Sequence, residues 1–294
     1  MKITANGIGV SYTVDGPAGA PVVTLSHSLA TTSAMWEPQV KALTTRYRVL
    51  RYDTRGHGGS DAPAGAYTLD QLAEDARQLL AALGIARTHW VGLSMGGMIG
   101  QTLALKAPDL FASLVLCDTS SRVPAEARPL WAERITTAET NGMEPLVEAT
   151  IGRWFTQPFR EARADVVNPV RAMIRATPPR GYVGCCQAIS QLDLTDRLSA
   201  IRIPTLVVVG EEDQGTPVAA SRTIQEQIKG AELVRPQVRG TFVKSRAARG
   251  LHARPHRVPR ESRLTGSGPG GILWSDQLTA EPAAHRPRRR AWQR

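Results

Sequence analysis

The 294-residue sequence predicts an α/β fold, a mostly parallel central sheet with an inserted helical lid. Three observations carry that expectation. Short apolar strands alternate with helical stretches at the spacing of βαβ units. A glycine-flanked serine, Gly92-Leu93-Ser94-Met95-Gly96, stands between one such strand and one such helix. Strand patterning then stops from Arg122 to about Thr195, where several amphipathic helical stretches replace it.

The elements follow in order. Ile8-Gly9-Val10-Ser11-Tyr12-Thr13-Val14 alternates as half of a hairpin and breaks at Asp15-Gly16-Pro17. Pro21–Leu25 is a short buried strand, and Ser26–Ser33 is a polar, small-residue loop. Arg48–Tyr52 is a further strand, ending in the glycine-rich turn Asp53-Thr54-Arg55-Gly56-His57-Gly58-Gly59-Ser60. Thr68 caps a helix over Leu69–Leu83 with apolar Leu69, Leu72, Ala76, Leu79, Leu80 and Leu83, and Gly84 ends it. His89-Trp90-Val91 leads into the serine turn and a helix from Gly97, and Leu114–Cys117 is the next strand. After the lid the sheet resumes at Pro204–Gly210, a helix covers Val218–Ile228, and Leu233-Val234 starts one more strand. The division is a core of residues 1–121 and 196–234, a lid of 122–195, and a tail of 235–294.

Composition narrows the class of protein. Forty-two per cent apolar and 21% charged residues fit a soluble globular chain. No apolar run approaches the length of a membrane span, and Met1–Gly7 has no apolar signal core. Three cysteines, two of them adjacent at Cys185-Cys186, make a poor disulfide framework and point to the cytoplasm. No Cys/His spacing fits a metal site, and no cofactor is expected. The net charge of +10 is confined to the end of the chain. Residues 1–234 carry 22 Lys+Arg and 23 Asp+Glu, whereas residues 235–294 carry 14 and 3.

The strand–turn–helix setting of Ser94 is that of a nucleophile elbow. Such a turn strains the serine backbone and holds its oxygen exposed at a helix N-terminus. Serine needs a base oriented by a carboxylate. Asp213, in the loop directly after a buried strand, is the expected carboxylate, consistent with the order Ser…Asp…His. The backbone N–H groups of Met95 and Leu29 are the expected oxyanion donors. His27, His57 and His89 read as structural. The base should follow Asp213, yet residues 235–251 contain no histidine, and His252, the weak candidate, follows no recognisable strand.

These stretches resemble the 3-oxoadipate enol-lactonase group of α/β-hydrolases, enzymes of the β-ketoadipate branch of aromatic degradation. The likeness lies in Leu25–Thr32 with Met35-Trp36, in Arg51–Gly58, in GLSMGGMIGQ at 92–101, in LVLCDTS at 114–120 and in Arg153-Trp154-Phe155. The lid run Gly181-Tyr182-Val183-Gly184-Cys185-Cys186-Gln187-Ala188-Ile189 is the most diagnostic part. The resemblance implies an α/β-hydrolase fold, Ser94 as nucleophile, Asp213 as acid, and hydrolysis of a small enol-lactone. It also implies a group in the lid for the free carboxylate of the substrate, with Arg134 and Arg153 as candidates and Trp154 packing the pocket wall.

The likeness ends near Val234, where the family has a strand, a histidine-bearing loop and a closing helix. Here Arg, Pro, Gly and Ala take over, as in a GC-rich gene translated in a shifted reading frame. The expectation is a lactonase lineage whose activity is impaired by loss of the triad histidine, followed by an irregular tail. Two alternatives stay open: a general serine esterase or perhydrolase of the same fold, and a non-catalytic protein whose basic tail binds nucleic acid. The second is disfavoured by a tail with few aromatics and no recognisable fold. Oligomeric state is not legible.

Overall fold

The opening hairpin turns at Asn6-Gly7, both at positive φ (49° and 76°), the geometry of a two-residue turn whose twist matches its strands. A computed structural model describes residues 1–236. The irregular tail expected from the sequence therefore lies, from residue 237 onward, outside the described residues. β1 (Lys2–Ala5) and β2 (Ile8–Asp15) are antiparallel, and β2 pairs antiparallel with β4 (Arg48–Tyr52). The remaining pairings are parallel. They join β4 to β3 (Val22–Ser26), β3 to β5 (Thr88–Leu93), and β5 to β6 (Phe111–Cys117). They continue through β7 (Thr205–Val208) to β8 (Glu232–Val234), giving the order β1-β2-β4-β3-β5-β6-β7-β8.

That order places a switch point between β3 and β5. The chain leaves β3 toward one side of the sheet and returns through β5 to build the other. Ligand sites of open α/β sheets sit beyond the carboxyl ends of strands at such a point. Ser26 pairs with Gly92, Leu93 with Cys117, and Cys117 with Val208, so the loops after β3, β5, β6 and β7 emerge along one edge.

Alternation along each strand divides the core between the two faces. Val23, Leu25 and Val49 pack with Met35, Trp36 and Val40 around α1 (Glu37–Leu43). Leu50, Tyr52 and Trp90 face the larger cluster with α2 (Leu69–Ala82) and α3 (Met95–Lys106). The helix α2 starts where the pattern predicts. Thr68 Oγ1 accepts the Gln71 N–H at 3.1 Å, and Leu72, Ala76, Leu79 and Leu80 are buried. Burial of each such leucine is worth about 1.5–3 kcal/mol. α1 is the helix that periodicity did not single out. It is seven residues long, too short to establish a repeat, and starts with Pro38 in its first turn.

Between β6 and β7 lie α4 (Arg128–Asn141), α5 (Glu144–Trp154), α6 (Gln157–Ala162), α7 (Ala164–Ala176) and α8 (Pro179–Ser190). A proline opens α4, α5, α6 and α8 within the first turn, where its missing N–H costs nothing. The final helix, α9 (Val218–Gln227), packs beside β7 and β8. No helix among the described residues is long and apolar enough to cross a membrane. Cys117, Cys185 and Cys186 are free and buried.

A buried ion pair ties the turn after β4 to the core. Arg55 Nε and Nη2 each donate to Asp75 at 2.7 Å, and Asn6 Nδ2 donates to the same carboxylate at 2.7 Å. Removing one partner of such a pair strands a charge, at about 3–5 kcal/mol. Hairpin, turn and α2 are thereby locked together beneath the lid.

Candidate active site

Ser94 sits at the turn from β5 to α3 with φ 51° and ψ −112°, a backbone conformation that costs on the order of 1–3 kcal/mol. The surroundings enforce it. A Cβ at Gly96 would collide with the Ser26 carbonyl, and one at Gly92 with the Gly96 carbonyl. Ser94 N–H donates to Cys117 O at 2.9 Å, and Thr119 Oγ1 donates to Ser94 O at 2.7 Å. Trp90 Nε1 donates to Gly96 O at 3.1 Å from beneath. The side chain is half-exposed and lines a cavity between the sheet edge and the lid.

The loop after β3 supplies the opposite wall. Ala30 takes φ 61°, and its N–H donates to His57 Nε2 at 3.0 Å. The ring of His57 donates from Nδ1 to Arg55 O at 3.2 Å. His27 is arranged alike, with Nδ1 donating to Ser28 O at 2.7 Å and Nε2 accepting the Thr54 N–H at 2.8 Å. Both rings are fully buried, with centroids 5.3 Å apart. Burial pushes both imidazoles below their ordinary range, His57 to about 3. They are neutral braces for the loop that carries Leu29. The backbone N–H groups of Leu29, which lines the cavity, and of Met95, the buried residue after Ser94, donate to no backbone or side-chain acceptor among the described residues. His89, half-buried on β5, contacts Ser113 Oγ at 2.8 Å.

Asp213 lies in the loop after β7 and lines the same cavity as Ser94. Its Oδ1 accepts the Gly215 and Thr216 N–H groups at 2.7 and 3.0 Å, and its Oδ2 accepts Thr216 Oγ1 at 2.7 Å. A second carboxylate, Asp118, stands beside it at the end of β6. Burial, with the charge of Asp213 added, raises the Asp118 carboxyl far above the ordinary carboxylate range.

The lid contributes two cations. Arg134 of α4 stacks over Trp131 at 4.6 Å, and its Nε is buried with no hydrogen-bond partner among the described residues. Arg153 of α5 donates to Thr150 Oγ1 at 3.0 Å. Burial, and then the neighbouring Arg134, lower its affinity for its proton. Neither is in an ion pair with an acidic residue among the described residues, and both line the cavity with Trp154.

The elbow, the braced loop after β3 and the cap of helices are one architecture, and comparison with known proteins agrees. The α/β-hydrolase fold family model matches residues 21–240. The chain belongs to that family. 3-Oxoadipate enol-lactonase 2 of Acinetobacter baylyi is 34% identical to this α/β-hydrolase over 226 residues, 77% of this chain and 84% of its own length. 3-Oxoadipate enol-lactonase 1 of the same organism is 35% identical over 229 residues, 78% of this chain and 85% of its own. The crystal structure of the enol-lactonase from Burkholderia xenovorans LB400 matches with a TM-score of 0.78 at 39% identity, covering 80% of this chain and 91% of that one.

Ser94, Asp213, Leu29, Arg134, Arg153 and Trp154, scattered over 185 positions of sequence, thus line one cavity, whereas Met95, next to Ser94, is buried and outside that lining. None of the three described histidines lines it. His252 lies outside the described residues. Sequence reading passed over Asp118, although it is a carboxylate directly after the apolar strand Leu114–Cys117, at the same edge of the sheet as the loop after β7 that carries Asp213.

Proposed function

We propose that this α/β-hydrolase is built for hydrolysis of 3-oxoadipate enol-lactone, and that turnover by this chain is impaired. One observation carries the substrate reading: an elbow serine and two acid-free arginines face the same cavity. A lactone bearing a free carboxylate fits that pairing, its carboxylate on Arg134 and Arg153 and its carbonyl at Ser94. A charge-assisted contact to a half-buried guanidinium is among the stronger hydrogen bonds.

In this reading Ser94 Oγ attacks the lactone carbonyl as its proton passes to the triad base. The oxyanion forms against the Leu29 and Met95 N–H groups, which need no reorganisation because the histidine-braced loop and the elbow already hold them. Ring opening expels an enolate, which takes a proton and tautomerises to the ketone, so the demand on a general acid is low. Water then releases the acyl group, a step that requires a base. Asp213, in the lining of the same cavity, is the carboxylate this reading assigns to orient that base. The described residues place no histidine in the cavity, and the family match leaves residues 241–294 outside it. Loss of the triad base costs on the order of a million-fold in turnover. Buried free thiols fit a cytoplasmic setting.

The test compares the full chain with a version whose coding frame beyond codon 234 is restored, on the enol-lactone and on a simple aryl ester. The expected result is slow lactone turnover by the first and fast, lactone-preferring turnover by the second. Equal, fast turnover by both overturns the impairment, and preference for the aryl ester overturns the substrate.

A further inference from the structure

We propose that Asp118 is a positioning residue that shares a proton with Asp213 and so holds the Asp213 carboxylate at the rim of the cavity. The two carboxyls come from neighbouring parallel strands whose ends are in register, Cys117 opposite Val208. Asp118 takes φ 40°, a left-handed conformation that aspartate tolerates better than most residues. Its N–H donates to Val208 O at 2.8 Å, and its Oδ1 accepts the Gly210 N–H at 2.9 Å. Its side chain lines the same cavity as that of Asp213 and lies within its hydrogen-bonding reach.

Two carboxylates in hydrogen-bond contact require a proton between them, and the surroundings decide which one owns it. Asp213 already accepts three hydrogen bonds from Gly215 and Thr216 and is half-exposed, whereas Asp118 is 7% exposed and has the single donor of Gly210. The proton therefore resides on Asp118, which donates to Asp213. The other titratable groups do not change this assignment. Cys117 on the same strand is a buried thiol held neutral by burial and then by Asp118 itself. Glu211 and Glu212, on the Asp213 loop, lie outside the cavity lining, and Arg134 and Arg153 face it from the lid. Once Asp118 ionises, like charges in contact push Asp213 away from its place.

The pairing rests on the register of β6 and β7 and on the one cavity that both side chains line. Its bearing on catalysis rests on the reading of Asp213 as the acid of the triad, and the experiment reads protonation rather than turnover, so the two fail separately. The full chain, labelled with ¹³C at aspartate side-chain carboxyls, is titrated by NMR from about pH 4 to about pH 9, alongside Asp118→Asn and Asp213→Asn. One aspartate is expected to stay protonated at about pH 6.5 in the parent, to be missing from Asp118→Asn, and to titrate at least about one unit lower in Asp213→Asn. Asp118→Asn keeps a donor toward Asp213, so the Asp213 resonance should keep its chemical shift at neutral pH. A parent with every carboxyl ionised at that pH overturns the proposal. So does a protonated signal that survives in Asp118→Asn, or one whose midpoint is unmoved in Asp213→Asn.

Discussion

Gly56 and Gly181 touch backbone to backbone, so that a Cβ on Gly181 would lie inside the Gly56 carbonyl. One belongs to the turn after β4 and the other to the first turn of α8, and their contact is where the lid rests on the core. Cys185 Sγ, one turn later, reaches Arg55 O at 3.6 Å, and Gly184 lies flat on the Tyr67 ring. The diagnostic lid run and the glycine-rich turn are two halves of one joint.

Gly181→Ala should therefore unseat α8 rather than merely stiffen it. Overpacking of this kind costs about 1–3 kcal/mol. Urea unfolding followed by far-UV circular dichroism checks it, and an unchanged midpoint would contradict the joint.

Ser94 holds a left-handed φ that a glycine accepts without penalty. Ser94→Gly should raise stability by about 1 kcal/mol while removing the proposed nucleophile. The same unfolding measurement, paired with loss of any lactone turnover, reports both effects.

Arg134→Met and Arg153→Met should each weaken binding of 3-oxoadipate by roughly tenfold to a hundredfold, the worth of one charged hydrogen bond in a half-buried site. Isothermal titration on the chain as it stands reads this without requiring turnover. A variant that binds as tightly as the parent removes that arginine from the carboxylate site.

Acid should weaken the fold through His57. Its folded-state affinity for a proton is depressed to about 3, against 6.5 for the free side chain. Between those values the unfolded chain binds more protons than the folded one, so stability falls as pH drops from 6.5 toward 3. His57→Gln keeps an acceptor for the Ala30 N–H and should flatten the slope in that window, as measured by thermal unfolding against pH.

Local patterning was enough for much of this molecule. Alternation in Ile8–Val14, the Thr68 cap before Leu69, and the glycines around Ser94 each specify a local conformation through sterics or a single hydrogen bond. The sequence alone therefore determined an α/β sheet with an inserted helical lid and an elbow serine. Tertiary structure decided what those elements share. Strand order brought the loops after β3, β5, β6 and β7 to one edge, and only there do Asp118 and Asp213, 95 positions apart, compete for one proton. The same assembly turned His27 and His57 into neutral braces and set Arg134 beside Arg153 without an acid. Burial and neighbouring charge act through space, and no local pattern in the chain encodes them.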